Sequence, residues 1–231
     1  AKILDPRAGN RFLTDFPAFH VPIARLGMVN SLAQTLVKIT APGVPDFYQG
    51  TELWDFSLVD PDNRRPVDFS ARESLLTGLR ERIAANDPAA VARELVAKWE
   101  DGLAKMYVIH RTLHCRRRSP ELFQAGDYVP LRAGGAGGDH VVAFARRRAA
   151  AAAITVVPRL AAALTDGGSR LPMGSDIWRD TWVEVPRNFP GGPYGHLFTG
   201  ATVEASDGDD RRLRVREALA DFPVALLEAA P

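Results

Sequence analysis

The spacing of apolar residues between Phe16 and Lys38 predicts a helix near the start of the chain. Apolar positions recur there mostly three or four residues apart, as they do along one face of an α-helix. These positions are Phe19, Ile23, Leu26, Val29, Leu32, Leu36 and Val37. Because proline lacks the backbone N–H that a helix interior uses, we expect Pro17 and Pro22 to delay the start. The pattern therefore predicts a main helix over Pro22–Lys38.

A short apolar run at Val44–Tyr48 is typical of one buried strand. Its residues favour strands, and proline and glycine bracket it on both sides. A long polar loop follows and extends to Phe69. A helix followed by a strand is the order that ends an α/β barrel, and barrel ligands bind beyond the carboxyl ends of the strands. This loop is therefore the first place to look for a ligand site.

Three more helices are predicted after the loop. A Ser-x-x-Glu capping box that starts at Ser70 predicts a helix over Ala71–Ala85. An Asp-Pro pair suits the cap and first turn of a helix over Pro88–Trp99. An apolar face predicts a third helix over Leu103–Arg118.

From Tyr128 onward the apolar period changes from 3.6 to 2, which predicts strands. The candidate strands are Tyr128–Arg132, His140–Arg146, Ala152–Val157, Thr181–Val185, Thr199–Glu204, Leu213–Arg216 and Val224–Glu228. The turns that separate them are Gly134–Asp139, Asp166–Ser169, Asn188–Gly195 and Asp207–Asp210. Short strands joined by such turns predict an all-β sandwich after the helical part.

Composition narrows the function classes. The formal net charge of the 231 residues is +1, so no strong field attracts nucleic acid or an anionic membrane. No apolar run is long enough to span a bilayer, and the first ten residues lack a signal-peptide core. The single cysteine, Cys115, excludes an internal disulfide, so we expect a cytoplasmic protein.

Two sets of residues have a simpler interpretation than a binding site. The basic run Arg116–Arg118 lies at a predicted helix C-terminus, where cations are favourable, so we expect no nucleic-acid partner. His110, His114 and Cys115 lack the spacing of a metal site, and we expect neither a metal nor another cofactor.

The loop after the predicted strand has the chemistry that a sugar requires. Aromatic rings offer flat apolar faces, while carboxylates and guanidinium groups bind hydroxyls. These side chains are Glu52, Trp54, Asp55, Asp60, Asp62, Asn63, Arg64 and Arg65. A solvated surface loop closed by weak ion pairs would have the same composition, so composition alone leaves the choice open.

The order of the residues favours the first interpretation. Gly43, Pro45, Tyr48, Gly50 and Glu52 match the Gly-x-Pro-x-x-Tyr-x-Gly-x-Glu pattern of the eighth barrel strand in the α-amylase superfamily of glycoside hydrolases. Within this superfamily, the longer signature YQGTELWD with DPDNRRPVD resembles the family of malto-oligosyltrehalose synthases.

The resemblance implies a chain of three segments, with an α/β part first and an all-β part last. Residues 1–86 would be the end of a catalytic (β/α)8 barrel, with the eighth strand and its loop. Residues 87–120 would be a helical connection, and residues 121–231 a C-terminal antiparallel β-sandwich. The chain would then be the carboxyl-terminal portion of a longer enzyme and would need the missing N-terminal catalytic portion as its partner.

The resemblance also implies a function. The full-length enzyme would convert the reducing-end α-1,4 linkage of a malto-oligosaccharide into an α,α-1,1 trehalose linkage by intramolecular transglycosylation. The superfamily's catalytic acids come from earlier strands, so no catalytic residue is expected here. Asp60 and Arg64 would hold sugar hydroxyls, while Tyr48, Trp54 and Arg65 would complete the substrate site. Glu52 would either join them or orient Arg64 or Arg65.

Two other functions fit the same motifs. An α-1,4-glucan hydrolase or glucanotransferase of this superfamily would share the general strand pattern. A non-catalytic carbohydrate-binding fragment would share the loop.

Overall fold

The computed structural model describes residues 2–6, 9–190, 192–206 and 210–229. In this part, long helices come first and antiparallel sheets follow. The helices are α1 (Arg11–Thr40), α2 (Phe69–Ala85), α3 (Pro88–Ala97), α4 (Leu103–Arg118), α5 (Pro120–Gln124), α6 (Ser175–Trp178) and α7 (Val215–Ala218). The strands are β1 (Asp127–Pro130), β2 (Ala133–Gly134), β3 (Val141–Arg148), β4 (Ala151–Pro158), β5 (Trp182–Glu184), β6 (Tyr194–His196), β7 (Thr202–Val203), β8 (Arg212–Arg214) and β9 (Ala225–Ala229).

Helix α1 begins eleven residues earlier than predicted and continues through both prolines. Asn10 caps it, since its side chain accepts a hydrogen bond from the Phe12 backbone N–H. The rings of Phe12 and Phe16 then stack with centroids 5.0 Å apart along the helix. These contacts support the first turns, so Pro17 and Pro22 lie inside the helix and do not delay its start.

The cap of α2 also differs from the prediction. Asp68 is the N-cap, and its side chain accepts from the Ala71 N–H at 2.9 Å, so Ser70 lies inside the helix. Aspartate and serine are equally good caps, and the chain uses the earlier one. The predicted helices at α3 and α4 are present, although α3 ends at Ala97 and a 3-10 turn follows it.

The predicted strand at Val44–Tyr48 is absent from the structure. This segment has no strand pairing, and the Val44 side chain is 93% exposed rather than buried. A strand requires neighbours to pair with, and the described part of the chain supplies none to this segment. The candidate loop therefore joins α1 to α2 without an intervening strand.

The β part contains a six-stranded sheet in the order β1-β3-β4-β9-β6-β7 and a three-stranded sheet in the order β2-β5-β8. Every pairing is antiparallel.

Several strand predictions need correction. The strand predicted at Thr199–Glu204 shrinks to β7, and the chain turns into α7 after β8 instead of continuing to Arg216. Strand β6 lies partly in a predicted turn because the Tyr194 ring is fully buried. The turn predicted at Asp207–Asp210 lies mostly outside the described residues.

The six-stranded sheet is covered on both faces. Along β4, Ala153 and Val157 pack with the core residues of α1, α3 and α4, while Ile154 and Val156 pack towards the three-stranded sheet. Because alternate residues of a strand point to opposite faces, one apolar strand serves both cores. The helices, the large sheet and the small sheet thus form three layers. The predicted division of the chain into segments 1–86, 87–120 and 121–231 stays a prediction.

Arg146 connects the layers through a buried guanidinium group. Its side chain is 1% exposed and donates to the backbone oxygens of Thr40 at 3.3 Å and Gly126 at 2.7 Å. Thr40 ends α1, where carbonyl groups lack helical partners. Arg146 therefore ties the C-terminus of the helix to the sheet.

We expect Arg146→Met to destabilise the chain by about 3 kcal/mol, because the buried carbonyl of Thr40 and the partly buried carbonyl of Gly126 lose their charged donor. Chemical denaturation would measure the change. Arg148→Met is the matched control, since Arg148 is exposed on the same strand, and it should cost less than about 0.5 kcal/mol. Equal losses for the two variants would contradict the assigned role of Arg146.

Candidate functional site

The candidate site is the loop between α1 and α2, which consists of two halves with different support. We call residues Gly50–Asp55 the anchored half, because side chains from α2 and α4 and the backbone at Trp99 hold it. We call residues Phe56–Arg65 the exposed half, because its ion pairs, Asp60 with Arg64 and Asp62 with Arg65, are made within the loop itself. The predicted site residues are divided between these halves and Tyr48.

Arg72 of α2 holds the start of the anchored half. Its Nε donates to the Glu52 carboxylate at 3.0 Å, and its Nη2 donates to the Gly50 carbonyl at 2.9 Å. Gly50 has a φ of +87°, which favours glycine. A third bond, from Nη1 to the Asp68 carbonyl, joins the same guanidinium group to the start of α2. Glu52 thus pairs with Arg72 and not with Arg64 or Arg65.

Trp54 is held by Trp99. Its indole Nε1 donates to the Trp99 carbonyl at 2.7 Å, and the two ring centroids are 5.0 Å apart. Gly102 lies close to the backbone of Trp54, and a Cβ at Gly102 would lie 3.0 Å from the Trp54 backbone nitrogen. The indole is therefore a fixed, partly buried part of the loop, and its role as a stacking surface for sugar stays a prediction.

Lys105 of α4 binds the backbone in the middle of the anchored half. Its Nζ donates to the Leu53 carbonyl at 3.2 Å, and the residue is only 6% exposed. Burial and, to a smaller extent, the charge of Lys38 lower the pKa of Lys105, while Asp55 and Glu52 raise it, and the net result is a pKa of about 8. The backbone of the anchored half is thus hydrogen-bonded to a buried amino group.

The exposed half presents two ion pairs to solvent. Arg64 pairs with Asp60, and Arg65 pairs with Asp62. Asp62 also accepts from the Leu58 N–H at 2.8 Å, and this bond, together with Arg65, lowers the pKa of Asp62. The side chains of Asp60 and Arg64 are 56% and 68% exposed. Carboxylate acceptors and guanidinium donors are therefore adjacent and open to a ligand.

Tyr48 stands apart from both halves. Its side chain is 48% exposed, and its carbonyl accepts from the Thr51 hydroxyl at 2.7 Å. Among the described residues, no hydrogen bond or ion pair joins Tyr48 or Trp54 to Asp60, Arg64 or Arg65. The structure thus brings together Asp60 with Arg64 and Asp62 with Arg65, and it keeps these pairs separate from the other site residues.

Sequence reasoning missed the residues that position the loop. Arg72, Trp99 and Lys105 contact it from 20 to 52 positions away in the chain. The available signals were a basic residue in the first turns of α2 and a lysine within an otherwise apolar stretch of α4, next to Ala104 and Met106. Neither signal says which carbonyl group the cation would bind.

The described residues contain neither a metal-binding cluster nor a helix that could span a membrane. Residues 2–6, 9–190, 192–206 and 210–229 contain no group of three or more His, Cys, Asp or Glu side chains placed to hold a metal ion. The helices in these same ranges are each too short or too polar to cross a bilayer.

Comparison with known proteins identifies the relatives of this chain. No protein-family model matches it. A curated protein of Mycobacterium tuberculosis, provisionally named maltooligosyl trehalose synthase, is 35% identical over 198 residues, which are 86% of this chain and 20% of that protein. A variant of maltooligosyltrehalose synthase from Arthrobacter ramosus is 38% identical, with a TM-score of 0.65 over 88% of this chain and 22% of that one. This chain is a homologue of the maltooligosyltrehalose synthases.

The family resemblance drawn from the loop is thereby confirmed. The chain spans about a fifth of the length of the curated relatives it matches. An α-amylase from Geobacillus thermoleovorans is 16% identical, with a TM-score of 0.52 over 89% of this chain and 34% of that one. That likeness shows the shared fold alone.

We expect Arg72→Ala to loosen the anchored half, because Glu52 and the Gly50 carbonyl lose their donor. Amide hydrogen exchange at residues 50–55 should become about tenfold faster while exchange in α4 stays unchanged. Arg80→Ala, on the exposed side of the same helix, is the control and should leave residues 50–55 as they are. Unchanged exchange at residues 50–55 in Arg72→Ala would show that Arg72 does not hold the loop.

The lowered pKa of Lys105 predicts a pH dependence of stability. Between about pH 8 and pH 10.5 the folded chain binds fewer protons at Lys105 than the unfolded chain does. The free energy of unfolding contributed by Lys105 should therefore rise over this window, by an amount on the order of 2 kcal/mol.

Denaturation of the native chain and of Lys105→Met at several pH values would measure this rise as the difference between them, which removes the titration of other groups. Lys98→Met is the control, since Lys98 is an exposed partner of Glu94. A difference between native chain and Lys105→Met that stays flat from pH 8 to pH 10.5 would contradict the burial of a charged Lys105.

Proposed function

We propose that this chain supplies part of the substrate site of a maltooligosyltrehalose synthase. The full-length protein would convert the reducing-end α-1,4 linkage of a malto-oligosaccharide into an α,α-1,1 linkage. The observation that carries the proposal is the exposed, adjacent pair of Asp60 and Arg64 on a loop whose other half is anchored. The names of the relatives support the same substrate class.

The geometry of the pair suits sugar hydroxyls. A carboxylate accepts hydrogen bonds from two adjacent hydroxyl groups, and a guanidinium group donates in a fixed fork that lysine cannot reproduce. Asp60 and Arg64 are already oriented towards each other, so a bound glucose unit would replace part of their contact with water. Their role is therefore to bind and orient the substrate, and no residue of this chain attacks it.

The chemical step would belong to carboxylates outside this chain. One carboxylate would attack the anomeric carbon of the penultimate glucose, displace the terminal glucose and form a glycosyl-enzyme bond, while an acid protonates the departing oxygen. The released glucose would then attack that anomeric carbon through its own anomeric hydroxyl, which loses its proton to the base, and the glycosyl-enzyme bond would break to release the carboxylate. Water competes for this intermediate, so glucose must stay bound and water must be excluded.

The exposed half would help to retain that glucose. Its position after α1 fits the end of a (β/α)8 barrel in which Val44–Tyr48 becomes a strand once neighbours are present. The antiparallel sheets after residue 127 fit a C-terminal β-sandwich. Both assignments rest on the family and on the order of elements.

In the full-length protein, Asp60→Ala or Arg64→Ala should lower kcat/KM for maltopentaose by 10- to 100-fold, about 1.5–3 kcal/mol for a lost charged hydrogen bond. The fraction of turnovers that release free glucose should rise, because the sugar is held less firmly. Arg64→Lys should lower kcat/KM nearly as much as Arg64→Ala, although lysine keeps the charge. Arg148→Ala is the control and should keep native kinetics. Native kinetics in the Asp60 and Arg64 variants would contradict the assignment.

A further inference from the structure

A polar cavity of about 470 Å³ lies beside the candidate loop, between α1, the segment Asp46–Thr51 and the first turn of α4. The residues that line it include Lys38, Lys105, Ser31, Thr51, Asp46 and Tyr48. The cavity is separate from Asp60 and Arg64, which do not line it. The substrate-binding role proposed above for Asp60 and Arg64 makes no use of either lysine.

Lys105 is a buried cation without a counter-ion. It is 6% exposed, and its Nζ has a single hydrogen-bond acceptor, the Leu53 carbonyl. Within the described residues, no carboxylate lies within ion-pair distance of Nζ; Asp55 and Glu52 act on it only at longer range. A buried charge is costly unless it is paired, and an ammonium group can donate three hydrogen bonds. Two donors therefore remain for a partner.

Lys38 adds a second positive charge to the same cavity. Its Nζ lies 4.2 Å from the centre of the Phe47 ring, and it forms no ion pair within the part of the chain that the structure describes. The two lysines repel each other, since the charge of Lys38 disfavours the charged form of Lys105. The first turn of α4, which contains Lys105, also carries the positive end of the helix dipole. Each contribution makes the cavity more positive.

The charges in the lining define the ligand. Among the residues that line the cavity, two lysines and one aspartate leave an excess of one positive charge, while Asp55 and Glu52 act on Lys105 from outside the lining. A neutral sugar would not offset that charge, whereas one carboxylate would, and it would also accept the free ammonium donors. We propose that this cavity is a carboxylate-binding site in which Lys105 and Lys38 together hold one anionic group.

The carboxylate could come from two sources with the same chemistry. One is an Asp or Glu side chain in a longer polypeptide, since the relatives are about four times the length of this chain. The other is a free organic acid. Neither source involves the sugar, so the proposal does not rest on the proposed function.

The test measures the titration of each lysine in the 231-residue chain by NMR of the labelled Cε, with acetate as the probe and chloride at equal ionic strength as the reference. Lys105→Met assigns the signal. Acetate should raise the pKa of Lys105 from about 8 towards its ordinary 10.5 in a saturable way. Lys98, exposed and paired with Glu94, should not respond and serves as the internal control.

Lys38→Met should weaken the acetate response several-fold and leave the chain folded, because Lys38 is on the surface of α1. No acetate-dependent change at Lys105, or an equal change at Lys98, would overturn the proposal.

The same titration on a full-length polypeptide identifies the source. An ordinary Lys105 pKa without acetate would assign the carboxylate to the polypeptide itself. A low pKa that acetate still raises would assign it to a free acid, and a low pKa that acetate leaves unchanged would overturn the proposal. The readout needs neither sugar nor activity, so failure here and failure of the proposed function are distinguishable.

Discussion

The candidate loop depends on two cationic side chains that donate hydrogen bonds to its backbone. Arg72 donates to the carbonyl of Gly50, and Lys105 donates to that of Leu53. Without regular secondary structure, the loop's carbonyl groups have no ladder of partners, and these side chains supply them. Both cations belong to helices, so the anchored half is hydrogen-bonded to the rigid backbones of α2 and α4 through their side chains. The exposed half is then free to present Asp60 and Arg64 to a ligand.

The position of α4 is set in turn by the large sheet. Tyr107 donates to the Phe198 carbonyl at 2.7 Å in the buried core, and Arg111 donates to the Leu197 carbonyl at 2.9 Å. Cys115 and Arg118 both contact Glu228 on β9. Helix α4 thus contacts the sheet along one side and the loop at its first turn. A change at this interface would be expected to move Lys105 and, with it, Leu53.

Apolar periodicity predicted the elements whose partners are in the chain itself. The helix α4 and the strands β3 and β4 have strong patterns and pack within the described residues, and the structure has all three. The strand at Val44–Tyr48 had an equally strong local signal and is absent, because pairing depends on neighbours that propensity cannot supply. At α2, Asp68 caps the helix in place of the predicted Ser70, because the two residue types are equally good caps and the apolar pattern does not distinguish them.

For the site, the ordered motif identified the exposed half, since the resemblance depends on the sequence around Asp60 and Arg64. The anchoring residues could not be found in this way. Arg72 and Lys105 act through distant backbone atoms, and their burial follows from the packing of α2 and α4.

The proposed reaction is tested most directly by the change in reducing ends when a full-length polypeptide containing this chain acts on maltopentaose. We expect a fall without matching release of glucose, because the anomeric carbon of the terminal glucose becomes part of a non-reducing α,α-1,1 linkage. A rise would mean that water takes the glycosyl group, and a hydrolase of the same superfamily would replace the synthase. No change, with binding demonstrated, would contradict the catalytic account and leave a carbohydrate-binding protein.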